Sequence, residues 1–238
     1  MTRRTSLVCA SALAALSNAW AFAQEPHDGP PPMSEEDQAL SEALQLRMGD
    51  TSTLMETVPV PDNASSCGGT PGYDRMLCLI DLLKEDVPHD ILEILQVEYS
   101  RSQAEHWSNL PAGAFPKRPG VLLGELSIKQ RGLVKAIMME ATSHDVYEGF
   151  DEMIQTLNAD DYINTVSADY KAGYSSYNTK FAFLGTPGPY GTWELYYGGH
   201  HIAFANTYTD GKLAGATPSF RGVEPFPYFE MNGRVNQP

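Results

Sequence analysis

The side chains best suited to chemistry in this sequence are two adjacent histidines, His200 and His201, within Gly198-Gly199-His200-His201-Ile202. Neutral imidazole binds transition metals and also relays protons near neutral pH. A carboxylate follows at Glu224, in Arg221-Gly222-Val223-Glu224-Pro225, where a chain leaving a sheet would turn. It can complete a metal site with the histidines or act as a general base. Equally, it can be a loop acid facing water. Trp193, a little upstream, is an aromatic that can serve as a substrate platform or as a sheet anchor. An imidazole–carboxylate set of this kind suits copper, iron or zinc. The expected substrate is a small molecule reached from one edge of the sheet.

Placing both histidines in a strand creates a difficulty, because neighbouring side chains there point to opposite faces. His200 would share its face with Ile202, Phe204 and Tyr208, a core-like set. His201 would share its face with Ala203, Ala205 and Thr207, where small side chains leave room for a ligand or a close-packed helix. A bulge at Gly198-Gly199 would restore a common orientation. Without it, one histidine is a hydrogen-bonded core residue and the other is exposed.

The remaining candidates are weaker. Glu140 and His144 are four residues apart, a metal-ligand spacing on one continuous helix. The cap signal at Thr142-Ser143 argues that the helix breaks between them. His89 and His106 lie beside Pro88 and Trp107 in loop-like sequence, and His27 lies in a polar, Pro-rich stretch. There is no G-x-S-x-G, H-E-x-x-H, P-loop or G-x-G-x-x-G pattern, which disfavours a serine hydrolase of the nucleophile-elbow type and a nucleotide enzyme.

The elements that must position these residues fall into two groups. Ser34-Glu35-Glu36-Asp37 is a capping signature, and the apolar spacing after it predicts a helix to about Arg47. Met76, Leu77, Ile80 and Leu83 predict a second helix over 73–84. Residues 90–99 (DILEILQVEY) fit neither helix nor strand period cleanly. Leu126-Ser127 opens a helix to about Ala141, and a further helix restarts at Thr142-Ser143 and runs to about Leu157. Beyond Tyr174 the pattern changes to strands over 180–185, 192–197, 200–208 and 212–220, with Asp210-Gly211 as a type I′ hairpin turn. Helices first and an antiparallel meander second specify an α+β fold, with the N-terminal helices packed on the C-terminal β-meander.

Residues 1–23 read as an export signal: Arg3 and Arg4, a mildly apolar middle, and Ala21-Phe22-Ala23 before Gln24. Thr2-Arg3-Arg4-Thr5-Ser6-Leu7 fits both a twin-arginine signal and an ordinary secretory one. The expected location is periplasmic or secreted. Residues 24–33 form a disordered leader, and 34–238 a single domain. Gln24 rather than a histidine follows the cleavage site, which removes the option of an N-terminal histidine brace.

The full chain carries 16 Lys and Arg against 30 Asp and Glu, a net charge of −14. Loss of the signal removes Arg3 and Arg4 and no acid, so 14 cations face 30 acids, a net −16. Such a chain repels phosphate backbones and anionic membranes, so nucleic acid is not an expected partner. No apolar run in the mature chain is long enough to span a bilayer. Cys9 leaves with the signal. Cys67 and Cys78 remain, either as a disulfide in an oxidising compartment or as two separately buried thiols.

The chain resembles the family catalogued as domain of unknown function 3500 over about residues 107–225. The resemblance is carried by Arg118-Pro119-Gly120-Val121, Leu126-Ser127-Ile128-Lys129-Gln130, Phe183-Leu184-Gly185-Thr186-Pro187, Trp193, Gly199-His200-His201-Ile202 and the run Pro218 to Pro225. This chain has Glu194 where the family usually has Gly, and Ser108 where it tends to have His. No established reaction comes with the family, so the functional expectation rests on chemistry. One reading is a metal-dependent enzyme using His200, His201 and Glu224. Another is a non-catalytic exported binding or scaffold protein with structural histidines. A third is a metal-free hydrolase built on a histidine–carboxylate pair.

Overall fold

The computed structural model describes residues 34–36, 38–39, 55–112, 114–146, 148–166, 174–223, 227–231 and 233–237. The expected export signal, the leader, most of the helix expected after Ser34, and Glu224 lie outside the described residues. Of that first helix, residues 35, 36, 38 and 39 are helical.

Helices occupy the first half. Helix α1 (Tyr73–Asp86) buries Met76, Ile80 and Leu83 of the expected stripe, with Leu79 also buried and Leu77 half-buried. Helix α2 (His89–Leu95) leads directly into strand β1 (Gln96–Val97), so the ambiguous stretch is both elements in succession. A short helix α3 (Arg101–Glu105) starts on Ser100, whose hydroxyl accepts the Gln103 N–H. After β2 (Val121–Leu122) comes α4 (Ile128–Ala141), opened by a reciprocal Ser127–Gln130 capping box. Helix α5 spans Phe150–Val166. It begins later and ends later than its sequence pattern indicates. Ser143 caps a loop instead, accepting the Asp145 N–H on its hydroxyl while its carbonyl accepts the Phe150 N–H.

The second half is the sheet. Strands β3 (Lys180–Leu184), β4 (Thr192–Gly199) and β5 (Ile202–Thr209) form an antiparallel centre. Each outer edge is shared by two short strands. On one side β1 runs parallel to β3 at Phe183–Leu184, while β2 runs antiparallel to it at Lys180–Phe181. On the other side β6 (Lys212–Gly215) and β7 (Ser219–Arg221) pair with opposite ends of β5. The single last strand expected over 212–220 is therefore divided. Asp210 and Gly211 both have positive φ, 49° and 75°, as a type I′ turn requires. Strands β8 (Phe229–Met231) and β9 (Arg234–Asn236) make a separate ribbon against α5. There, Arg234 pairs with Asp151 and Glu56.

The main core lies between the helices and one sheet face. Leu79, Leu83, Leu133 and Ile137 meet Phe181, Phe183, Trp193, Leu195, Tyr197 and Phe204 there. Period-2 alternation sends Ala182, Leu184, Tyr196 and Ala205 to the opposite face, under Val97 and Ala104. Cys67 and Cys78 are joined as a disulfide across a separation of 11 residues, tying the segment before α1 to that helix. The carboxylate of Glu140 on α4 accepts from Arg75 Nη1 at 2.6 Å and from the Gly72 N–H at 2.7 Å, fixing the start of α1. The architecture is α+β.

Candidate functional site

His200 and His201 are not strand residues. They are the two central residues of the turn joining β4 to β5, where Gly199 pairs with Ile202. His201 has φ +52°, a left-handed conformation that non-glycine residues seldom adopt. The tight turn removes the strict alternation of a strand. The two rings stack with centroids 3.7 Å apart and planes 28° from parallel. The expected opposition of their faces is thereby corrected: the turn itself gives the rings a common direction.

Two segments hold this turn. The His201 N–H donates to the Asn109 carbonyl at 2.9 Å, and the His201 carbonyl accepts the Gly222 N–H at 2.8 Å. The first contact fixes the loop that runs from Trp107 to Gly120. The second fixes the chain leaving β7, which leads toward Glu224.

The carboxylate that reaches His200 comes from α5. Asp160 Oδ1 lies 2.7 Å from His200 Nδ1, and both side chains are buried, at 4% and 5% exposure. With the carboxylate ionised and the ring neutral, the ring hydrogen sits on Nδ1 and the lone pair on Nε2. The Tyr174 ring lies 4.4 Å from His200 at a tilt of 59°.

Asp161, the next residue, is turned about 100° around the helix and does something different. Its Oδ1 accepts the Ser176 N–H at 2.9 Å, so it holds the 3₁₀ turn Ser176–Asn178 beside Tyr174. Complete burial, the main cause, with a small addition from the Asp160 charge, pushes this carboxyl up to about 7; hydrogen bonds from Ser175 and Ser176 work in the opposite direction. Tyr197, on the adjacent strand, is also pushed upward, first by burial and then by Asp161, so it remains a phenol. Two consecutive aspartates thus have separate environments, one against an imidazole and one against backbone.

The roof of the site is a loop wound around one guanidinium. Arg118 donates from Nε to the Ser108 carbonyl at 3.0 Å, from Nη1 to the Phe115 carbonyl at 2.7 Å, and from Nη2 to the Leu110 carbonyl. Burial lowers its pKa, while Tyr196 and Asp160 act in the opposite sense. Ser108 contributes its carbonyl to this clamp and its hydroxyl to the Leu110 N–H.

The other expected residues stand elsewhere. Trp193 has no exposed surface, so its role as a substrate platform is corrected: it is a core residue. It stacks on Tyr208 at 4.9 Å and donates its indole N–H to Tyr73 Oη at 2.9 Å. Glu194 is accommodated by Thr207, whose hydroxyl donates to its carboxylate at 2.8 Å across the strand pair. Glu140 is a structural latch inside α4, and His144 lies beyond that helix. His89 is an exposed neighbour of Glu93, and His106 packs on Phe115. Among the described residues there is no group of three His, Cys, Asp or Glu side chains that could hold a metal ion. No described helix is long and apolar enough to cross a membrane.

Asp160, Asp161 and Tyr174 have no motif in the sequence. The signal available was Asn158-Ala159-Asp160-Asp161 continuing an amphipathic helix, which looks like a solvated helix end. In the structure these polar residues face inward.

A family model described as "Protein of unknown function (DUF3500)" matches residues 73–235, and the chain belongs to that family. No curated protein and no solved structure matches it significantly.

Proposed function

We propose that this member of the DUF3500 family is an exported small-molecule enzyme whose working group is the His200 imidazole. The observation that carries this reading is the buried 2.7 Å pairing of His200 Nδ1 with Asp160. A carboxylate behind an imidazole fixes its tautomer and makes the far nitrogen more basic, the arrangement of a general acid–base pair. Proton transfer at Nε2 suits hydrolysis or isomerisation of a small polar substrate. Glu224 remains the sequence candidate for a second acid–base group, since Gly222, two residues before it, is bonded to the turn.

Proton-detected NMR of the histidine rings tests this reading. His200 should carry its hydrogen on Nδ1, leaving Nε2 unprotonated. Asp160→Asn should weaken that tautomer preference through loss of the carboxylate acceptor. A ring whose tautomer is the same with or without Asp160 would make it a structural histidine and favour the scaffold reading.

A second reading is favoured by the stacked His201 ring. Metal-ligating histidines commonly give their other nitrogen to a carboxylate. The pair, with Glu224, would then bind copper, iron or zinc. Protein purified from its native compartment should in that case hold stoichiometric metal, and His201→Ala should lose most of it. Undiminished metal in that variant removes His201 from the ligand set.

A further inference from the structure

Arg118 also lines a cleft of roughly 550 Å³ on the sheet's outer side, together with Lys117, Lys180, His106, Glu36 and Val97. A space of this size takes a small molecule. Its charge is opposite to that of the protein as a whole. In a chain with a net charge of −14, the cleft gathers Lys117, Arg118 and Lys180, with Glu36 the one acid among its described lining residues.

Arg118 is the built part of this cleft. It is only 4% exposed, and three backbone carbonyls hold its guanidinium in place. Those acceptors are neutral. A guanidinium has five N–H donors, and these three bonds use three of them. Lys180 is held in place by the Gly120 carbonyl at 2.9 Å. A fixed, desolvated fork flanked by ammonium groups is the arrangement that recognises planar or tetrahedral oxyanions.

The chain's own geometry shows the preference. The Glu36 carboxylate lies 3.6 Å from Lys117 Nζ, with Glu36 84% and Lys117 47% exposed. An ion pair this open adds little stability, so an external anion can displace it. We infer that this cleft is a binding site for a small organic anion, a carboxylate or a phosphate ester, with Arg118 as the fork and Lys117 and Lys180 as flanks. Asp160 lies within electrostatic reach of the same guanidinium, which links the cleft to His200. The inference is nevertheless independent of the chemistry proposed there.

Isothermal titration of the purified protein with succinate and, separately, with inorganic phosphate tests the site. At least one should bind with a Kd of about 1 mM or below at low ionic strength, and which one binds identifies the anion class. Glu36→Gln should tighten binding by roughly threefold by removing the competing carboxylate, and Lys117→Gln should weaken it by about tenfold. The opposite signs separate a binding effect from loss of folding, which Arg118→Ala would confuse. No heat from either anion, or binding that ignores both substitutions, overturns the inference.

Discussion

The rings of His200 and His201 face each other at 3.7 Å because His201 takes a left-handed backbone at the second central position of the turn. Its N–H and carbonyl are committed to Asn109 and Gly222 in that conformation. The backbone, rather than the imidazole, therefore sets the stability of this position. His201→Gly should leave the unfolding midpoint close to that of the parent. His201→Val should cost about 1–2 kcal/mol, because a β-branched residue resists positive φ. Denaturant unfolding checks this, and a Val variant as stable as the Gly variant would show that the turn is not left-handed.

Asp161 gives the protein a pH dependence of unusual sign. Its carboxyl has an ordinary value of 3.8 and is pushed up to about 7 by burial in the folded protein. Between these values the folded state binds the proton and the unfolded state does not. Its contribution to stability is therefore full below about 3.8, declines as pH rises toward about 7, and stays lost above. Asp161→Asn keeps the acceptor for the Ser176 N–H and removes the titration. The stability lost between about pH 4 and pH 8 should shrink by on the order of 2 kcal/mol. Parallel urea titrations at the two pH values read this difference directly; an unchanged difference contradicts it.

Reduction should separate the segment before α1 from that helix. The Cys67–Cys78 bridge closes a loop of 11 residues, so replacing both cysteines by alanine should lower unfolding free energy by about 3 kcal/mol. The parent under strong reductant should show a similar loss. A double variant as stable as the oxidised parent would mean that the bridge constrains nothing.

Where apolar spacing decided an element, the sequence was a good guide. The stripe of α1, the Ser127 cap of α4 and the Asp210-Gly211 turn all stand where local chemistry puts them. The part of helix α5 beyond Leu157 escaped because this helix buries Gln155, Thr156, Asn158, Asp160 and Asp161. No hydrophobic period marks a face of that kind. The same property hid the site's carboxylate: Asp160 lies forty residues before the histidine it meets. His200 and His201 were visible as residues but misplaced as a strand, since nothing in Gly-Gly-His-His-Ile announces a left-handed histidine.

The Arg118 knot carries a lesson about which substitutions the roof will accept. Ser108 and Leu110 offer that guanidinium their carbonyl oxygens, a group that every amino acid possesses, while Phe115 adds its ring face at 5.4 Å to its carbonyl. The loop thus leans on its backbone for most of the clamp, and on the side chains of Ser108 and Phe115 for the remainder. Substitutions at Leu110, which gives the clamp only a carbonyl, can leave it intact, whereas one lysine at 118 would leave three oxygens competing for a point charge.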